Sequence, residues 1–400
     1  MKKTILFVIY ILNLSFAFGE AFEEPDRNNP VALIPFKLYG NYIIIELSVD
    51  NSDPLAFIFD TGAGGTIINS KTANIIGISG GEYVQRKGAT GEAQINLSRK
   101  HAVSTDGFSL RNLNLGIVEL GHLEKQIGIK IDGIIGWQIL SQYAVRINYD
   151  QMQIEIYNPK KYDQKLDLSG FNVLLRGTAI FADARIVLKD GASFTGKVLI
   201  DTGAGGSIYI NTPFSRDNGL LSKIGNSYEH NAKSLSTDNG IFTTGMCSGL
   251  TIGSSEFTDV PVSISSAEKG LFSSPGFMGI LGNEVLKRFN LFINVKQQRI
   301  SLEPNRLYPE IFEINSSGLE LISDDSLRKV IVDYVYPDSP ADSSGLRAGD
   351  QIIEIDGKRI LPAELPLIRN ILNQSGITVV LLIVREGVLL KFTLRLKRLI

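Results

Sequence analysis

The chain has 400 residues, 40 basic and 42 acidic side chains for a formal net charge of −2, and an apolar fraction of 44%. That length suggests two or three domains with sizeable cores, and the mixing of charges, without a basic block or an acidic tail, argues against a nucleic-acid partner. A single cysteine, Cys247, excludes internal disulfides, and His101, His122 and His230 are too scattered for a metal site, so no metal or cofactor is expected.

Met1 to Gly19 reads as a secretory signal. Lys2 and Lys3 form a positive start, Thr4 to Phe18 is mostly apolar, and Ala17-Phe18-Gly19 offers small residues for cleavage. The expected destination is the periplasm, the cell envelope or the medium. The chain meets a membrane only if this segment stays uncleaved, and its apolar run is short against the roughly 20 residues of a span. Residues 20–30 are expected to be a polar, flexible lead-in.

The first half is expected over 31–159. Tyr42 to Val49 alternates as a half-buried strand does, and Asp50-Asn51-Ser52-Asp53-Pro54 is a turn. Leu55 to Phe59 is an apolar strand that runs into Asp60-Thr61-Gly62-Ala63-Gly64-Gly65. Ser70 to Ile76 predicts a short helix stopped by Gly77. Gly88-Ala89-Thr90-Gly91 interrupts a strand-like region and reads as a hairpin tip. After Ile134-Ile135-Gly136 come a helix over Gln138 to Tyr143 and strands over Ala144 to Tyr149 and Gln153 to Tyr157. The polar residues 160–170 form a linker.

The second half, 171–306, repeats this order. Strands over Ala184 to Leu188 and Gly196 to Ile200 feed Asp201-Thr202-Gly203-Ala204-Gly205-Gly206, so Asp201 follows Asp60 by 141 positions. Asp238-Asn239-Gly240 predicts a hairpin turn. Ile280-Leu281-Gly282, a helix over Asn283 to Phe289, and strands over Leu291 to Val295 and Arg299 to Leu302 close the half.

One Asp-Thr-Gly is first of all a turn. Two of them, each at the end of a buried strand, supply two carboxylates to one chain. Hydrolysing a peptide bond without a metal, Ser or Cys needs a base for water and an acid for the amide. Two carboxylates about 3 Å apart can be both, because like charges that close cannot both ionise and one proton is shared. Thr61 and Thr202 can bond across the axis, and Gly62 and Gly203 let the backbone approach the carboxylates.

These motifs resemble the aspartic peptidases of the pepsin and retropepsin superfamily. The resemblance extends to the two apolar residues plus Gly late in each half, here Ile134-Ile135-Gly136 and Ile280-Leu281-Gly282. It implies a mainly β fold of two homologous acid-protease-like lobes with the active site between them, Asp60 and Asp201 as the catalytic dyad, and Thr61, Gly62, Thr202 and Gly203 as its support. It also implies a substrate-covering flap at Gly88, Ala89, Thr90 and Gly91, against the plainer reading of an ordinary hairpin tip. Ala63 and Ala204 stand where pepsins usually carry a hydroxyl, which is the retropepsin pattern. Losing that donor removes a bond that favours the ionised form, so a less acidic pH optimum than pepsin's is expected.

Residues 307–400 belong to neither repeat. Ser339-Pro340-Ala341, Gly345-Leu346-Arg347-Ala348-Gly349-Asp350 and Ile352-Ile353-Glu354-Ile355-Asp356-Gly357 closely resemble the bacterial PDZ domain. The remaining pattern fits: strands Val330 to Val335, Thr378 to Arg385 and Val388 to Arg395, and a helix near Pro366 to Gln374. The resemblance implies an α+β domain that takes an extended peptide, or a chain's C-terminus, as an added strand. Its binding loop would be Gly318, Leu319, Glu320 and Leu321. Glu320-Leu321 departs from the family's usual pair, which puts strand addition ahead of terminal-carboxylate capture.

The leading expectation is an exported aspartic endopeptidase acting on polypeptides, with the PDZ domain recruiting or positioning substrate. The alternatives are a non-catalytic peptide-binding protein on the same scaffold, and lobes that pair with a second chain.

Overall fold

The computed structural model describes residues 29–159, 170–233 and 239–400. The expected signal segment 1–19, nearly all of the lead-in and of the linker, and Asp238 lie outside the described residues. The architecture is mainly β, in three sheets of 13, 8 and 6 strands.

Strand patterning follows burial. Ala32–Tyr39 begins by alternating buried and exposed residues, as a strand with one covered face does. Leu55–Phe59 is buried at all but Ala56, and Phe289–Asn294 at every position, because both faces of these strands are covered. In the first half, Leu55–Phe59 pairs in parallel with Gly133–Ile135, which also pairs with Thr66–Asn69. The second half repeats the unit: Ser193–Ile200 pairs in parallel with Gly279–Leu281, which pairs with Ile208–Ile210.

The two halves share a sheet. Ala144–Asn148 pairs antiparallel with Phe289–Asn294, in the register Leu291↔Ile147 and Ile293↔Val145. The strands expected to close the second half, Phe289–Asn294 and Arg299–Pro304, therefore extend the first half's sheet. Tyr149 ties the halves again: its hydroxyl donates to Asn283 Oδ1 (2.6 Å) and its N–H to Asn290 Oδ1 (3.0 Å). One apolar core, from Ala32 to Phe312, runs through both halves.

Three expectations are corrected. The helices foreseen over Gln138 to Tyr143 and Asn283 to Phe289 are single turns, Trp137–Leu140 and Asn283–Leu286, each followed closely by a strand of the shared sheet, Ala144–Asn148 and Phe289–Asn294. Asn239 and Gly240 are not a turn. They open the strand Asn239–Ile252 and pair with Lys233 and Ala232. And residues 307–312, expected in the C-terminal domain, pack on the second half. The buried Arg288 donates to the carbonyls of Leu307 (3.0 Å) and Glu310, and its guanidinium lies 4.0 Å over the Phe312 ring.

The third sheet orders its main strands Leu319–Ser323, Val330–Val335, Gln351–Ile355, Thr378–Arg385 and Val388–Arg395, with Leu319–Ser323 at one edge. Helix Leu365–Asn373 buries Leu365, Ile368 and Leu372 against it, the one-faced spacing of an amphipathic helix.

Candidate active site

The two Asp-Thr-Gly loops meet. Asp60 N–H donates to Ile135 O (2.9 Å) and Asp201 N–H to Leu281 O (3.1 Å), so each aspartate is tied to the apolar-apolar-Gly segment of its own half. The loops then bond across the axis. Thr61 N–H donates to Thr202 Oγ1 (3.0 Å) and Thr202 N–H to Thr61 Oγ1 (3.0 Å). The hydroxyls donate onward, Thr61 Oγ1 to Ile200 O (2.7 Å) and Thr202 Oγ1 to Phe59 O (2.9 Å). Both threonines are fully buried.

This cross-bonding sets the carboxyl groups of Asp60 and Asp201 side by side, close enough for each to act on the other's ionisation. Gly62 and Gly203 make the approach possible. A Cβ on Gly62 would stand 2.6 Å from Asp201 Oδ2, and one on Gly203 would stand 2.3 Å from Asp60 Oδ2. Any side chain there would occupy the space of the opposite carboxylate.

The two acids are not equivalent. Asp60 Oδ1 accepts from Gly62 N–H (2.7 Å) and Ala63 N–H (3.0 Å), and Asp201 Oδ1 accepts from Gly203 N–H (2.9 Å), with Ala204 N–H also favouring its charged form. Burial raises Asp60 above the ordinary carboxylate range, and these donors offset part of the shift. Burial raises Asp201 further, and the neighbouring Asp60 charge adds to it. Burial therefore opposes ionisation of both acids, and more strongly at Asp201.

A pH dependence of stability follows. A carboxyl with a raised folded pKa contributes stability that is complete below its ordinary value of 3.8 and is lost as pH rises through the folded value. Asp201→Asn is neutral throughout and escapes that loss. Its Tm should gain on the wild type as pH is taken from about 4 toward 8. Thermal unfolding read across that range checks this, and a gap that is flat or shrinks with pH contradicts it.

Apolar surface flanks the pair on both sides. Ile44, Ile58 and Ile134 cluster with Tyr42 and Ala63 in the first half; Phe181, Leu199 and Ile280 cluster with Tyr209 and Ala204 in the second. Burial raises both phenols, and the nearby charges of Asp201 and Asp60 add to the rise at Tyr42.

Glu82–Lys87 and Glu92–Thr105 form a hairpin with Gly88 to Gly91 at its tip. The tip is fastened to the second half. Gly88 O and Ala89 O accept from Leu271 N–H (2.9 Å) and Phe272 N–H (3.0 Å), and Thr90 lies against Gly240 of the opposite hairpin. The clasp at Leu271–Ser273 was not foreseen. Its only local signal is Gly270 before Leu271-Phe272, a common enough pattern. Of Gly318 to Leu321, the last three start the edge strand of the third sheet and Gly318 precedes it, far in sequence from the carboxylate pair and on a separate sheet.

Residues 45–139 match the aspartyl protease family model, and residues 331–386 match a PDZ domain model. Among curated proteins nothing matches the chain. Solved structures with local likeness include a photosystem II D1 C-terminal processing protease, 26% identical over 20% of this chain and 22% of that one, with a TM-score of 0.20. An aminopeptidase N family protein from Idiomarina loihiensis is 26% identical over 21% and 14%, with a TM-score of 0.19. The HtrA3 PDZ domain bound to a phage-derived ligand is 22% identical over 20% and 83%, with a TM-score of 0.18. The chain spans about a fifth of the length of the first of these structures. The chain thus carries a retropepsin-like aspartyl protease domain and, toward its C-terminus, a PDZ domain.

Proposed function

We propose that the chain is an exported aspartic endopeptidase whose catalytic pair is Asp60 and Asp201. The observation that supports this most directly is the contact of two carboxyl groups, one from each half, with unequal environments. Asp60, ionised and held by two N–H groups, takes the proton of a water placed between the acids. Asp201, protonated, donates to the scissile carbonyl oxygen as the water oxygen adds to carbon. The proton on Asp60 then passes to the amide nitrogen, the C–N bond breaks as a hydroxyl of the gem-diol returns its proton to Asp201, and the pair is left with one proton, as it began. Thr61, Gly62, Thr202 and Gly203 hold the two loops in register.

The substrate is an extended polypeptide lying between the lobes. The apolar clusters beside Ala63 and Ala204 favour apolar side chains flanking the cut. The Gly88 to Gly91 hairpin is the flap, and its bonds to Leu271 and Phe272 must open for a chain to enter. The PDZ domain positions or admits that chain.

Purified protein incubated with a mixed peptide library should cut it endoproteolytically, with a maximum above about pH 3, since no hydroxyl at Ala63 or Ala204 supports the ionised pair. A statine-type transition-state mimic should block the cutting. Mass spectrometry of the products reads both. An intact library at every pH, or cutting that the mimic leaves untouched, refutes the assignment.

A further inference from the structure

The PDZ domain's groove is already in use. Its edge strand, Leu319–Ser323, pairs on one side with Val330–Val335. On the other side two of its carbonyls have partners within the same chain. Leu319 O accepts from Asn315 Nδ2 (3.0 Å), and Leu321 O accepts from Arg369 Nη2 (2.6 Å). Those carbonyls are where an added peptide strand would donate its N–H groups.

The loop end is filled as well. Asn315 Oδ1 accepts from Ser317 N–H (3.2 Å) and Gly318 N–H (2.8 Å), while Leu319 N–H donates to Ser317 Oγ (3.2 Å). A carboxamide of the chain itself thus holds the amides that would receive a terminal carboxylate.

The other end of the groove holds a piece of the first half. Helix Gly121–Ile127 packs against Leu319–Ser323, beside helix Leu365–Asn373. Arg369 Nη2 donates to Gln126 O (2.8 Å) as well as to Leu321 O, so one guanidinium joins both sides. Ser323 Oγ donates to Lys125 O (3.3 Å), and Lys125 pairs with Asp325 at 2.5 Å. Gly128 lies so close to Pro362 that a Cβ there would stand 2.1 Å from its carbonyl oxygen.

The contact leads toward the carboxylate pair. Ile127 shares an apolar cluster with Tyr42 and Ala63. On the other side Tyr336, next to the groove, meets Tyr228 of the second-half hairpin edge to face at 4.8 Å. Between them a cavity of about 220 Å³ is lined by Tyr228, Thr244 and Pro261 on one wall and Leu319, Glu320 and Arg369 on the other. The domain therefore contacts both halves.

We propose that the groove is a latch whose resident ligand is residues 121–128 of the same chain. Its external partner is an internal stretch of extended polypeptide, which must displace that segment to bind. Because Asn315 occupies the loop amides, a free C-terminus gives no advantage. Displacement releases Tyr228 and its hairpin, so a filled groove raises hydrolysis. That last consequence rests on the peptidase reading above; the latch does not.

The test uses the full chain with Asp60→Asn, so that peptides survive, and two further variants on opposite sides of the contact, Lys125→Glu and Arg369→Leu. Hydrogen exchange is read at 121–128 and 319–323, and retention of a mixed pool of short synthetic peptides, in free-acid and amidated forms, is read by mass spectrometry. Both variants should speed exchange in the two segments together. Retention should rise about tenfold in Arg369→Leu, as the competent fraction grows, and less in Lys125→Glu, whose pair is exposed. Adding Asp325→Lys to Lys125→Glu should reverse its effect. The amidated and free-acid pools should be held alike. Exchange that stays at the starting level in both variants, or a free-acid preference above about tenfold, overturns the latch; tenfold is the size expected of a real competition. An Asp60-intact protein that fails to hydrolyse peptides, while exchange and retention behave as described, counts against the peptidase reading alone.

Discussion

Asp60→Asn and Asp201→Asn should each lower peptide hydrolysis by about 10³-fold, within the 10² to 10⁴ attributed to a positioned acid or base. An amide is nearly the same size as the carboxyl it replaces, but it cannot take a proton from water or give one to the leaving amide. The loss should fall on kcat with KM little changed, since the peptide is gripped along the cleft and not by the pair. The two variants should also differ. In the proposed mechanism Asp60 is the base, and it receives the N–H groups of Gly62 and Ala63. Asp201 is the acid of that mechanism, since burial and the Asp60 charge both oppose its ionisation. Asp201→Asn keeps a donor facing the carbonyl and should retain more residual turnover than Asp60→Asn. Steady-state kinetics on one peptide taken from the library products measures this. Turnover at wild-type rate in either variant excludes a shared pair. A protein that only binds peptides would show no turnover even before substitution.

Thr61→Val and Thr202→Val should be the most damaging isosteric changes in the fold. Valine keeps the threonine's shape and loses only the hydroxyl. At Thr202 that hydroxyl accepts from Thr61 N–H (3.0 Å) and donates to Phe59 O (2.9 Å), in a site with no exposure to water. Each stranded backbone group costs about 1–3 kcal/mol, so one substitution should cost about 2–6 kcal/mol. The two sites share one network, so the double variant should lose less than the sum of the singles. Serine in place of either threonine keeps the hydroxyl and should restore most of the loss. Activity should fall beyond what unfolding removes, because a misplacement near 1 Å costs about 10²-fold in rate. Urea unfolding with kcat measured in the native baseline reads both effects. A Thr202→Val protein within about 0.5 kcal/mol of wild type would mean that the cross-bonds carry no weight, since that is the scatter of ordinary surface changes.

How much of this was legible in the residues varies by element. The local units were. Strands such as Val330–Val335, Thr378–Arg385 and Val388–Arg395 are short apolar-rich runs in the order that the PDZ resemblance implies, so their bounds could be read directly. The tip at Gly88 to Gly91 was marked by its glycines. The meeting of the Asp60 and Asp201 loops was implied by the repeat: two copies of one unit pack about an axis, and corresponding loops come to it together. By contrast, the single-turn helices after Gly136 and Gly282 were overestimated. Ser141-Gln142 and Lys287-Arg288 beyond them carry no Gly or Pro to stop a helix, and the strands that begin shortly after are fixed by pairing with each other across the halves.

By itself, then, the chain's residue order determined a duplicated β body, two carboxylates at matched strand ends, and a third unit of PDZ pattern, since each is carried by contacts between near neighbours or by internal repetition. Only the tertiary structure decided that Phe289–Asn294 joins the first half's sheet, that Leu271 and Phe272 clasp the hairpin tip, and that residues 121–128 lie against the strand Leu319–Ser323. Arg369 shows the reason. It bonds Gln126 O across 243 positions, and the partner is a backbone carbonyl, which every residue possesses. A side chain that seeks a carbonyl leaves no mark in the composition of its partner, so such a contact becomes visible only when the fold has brought the two together.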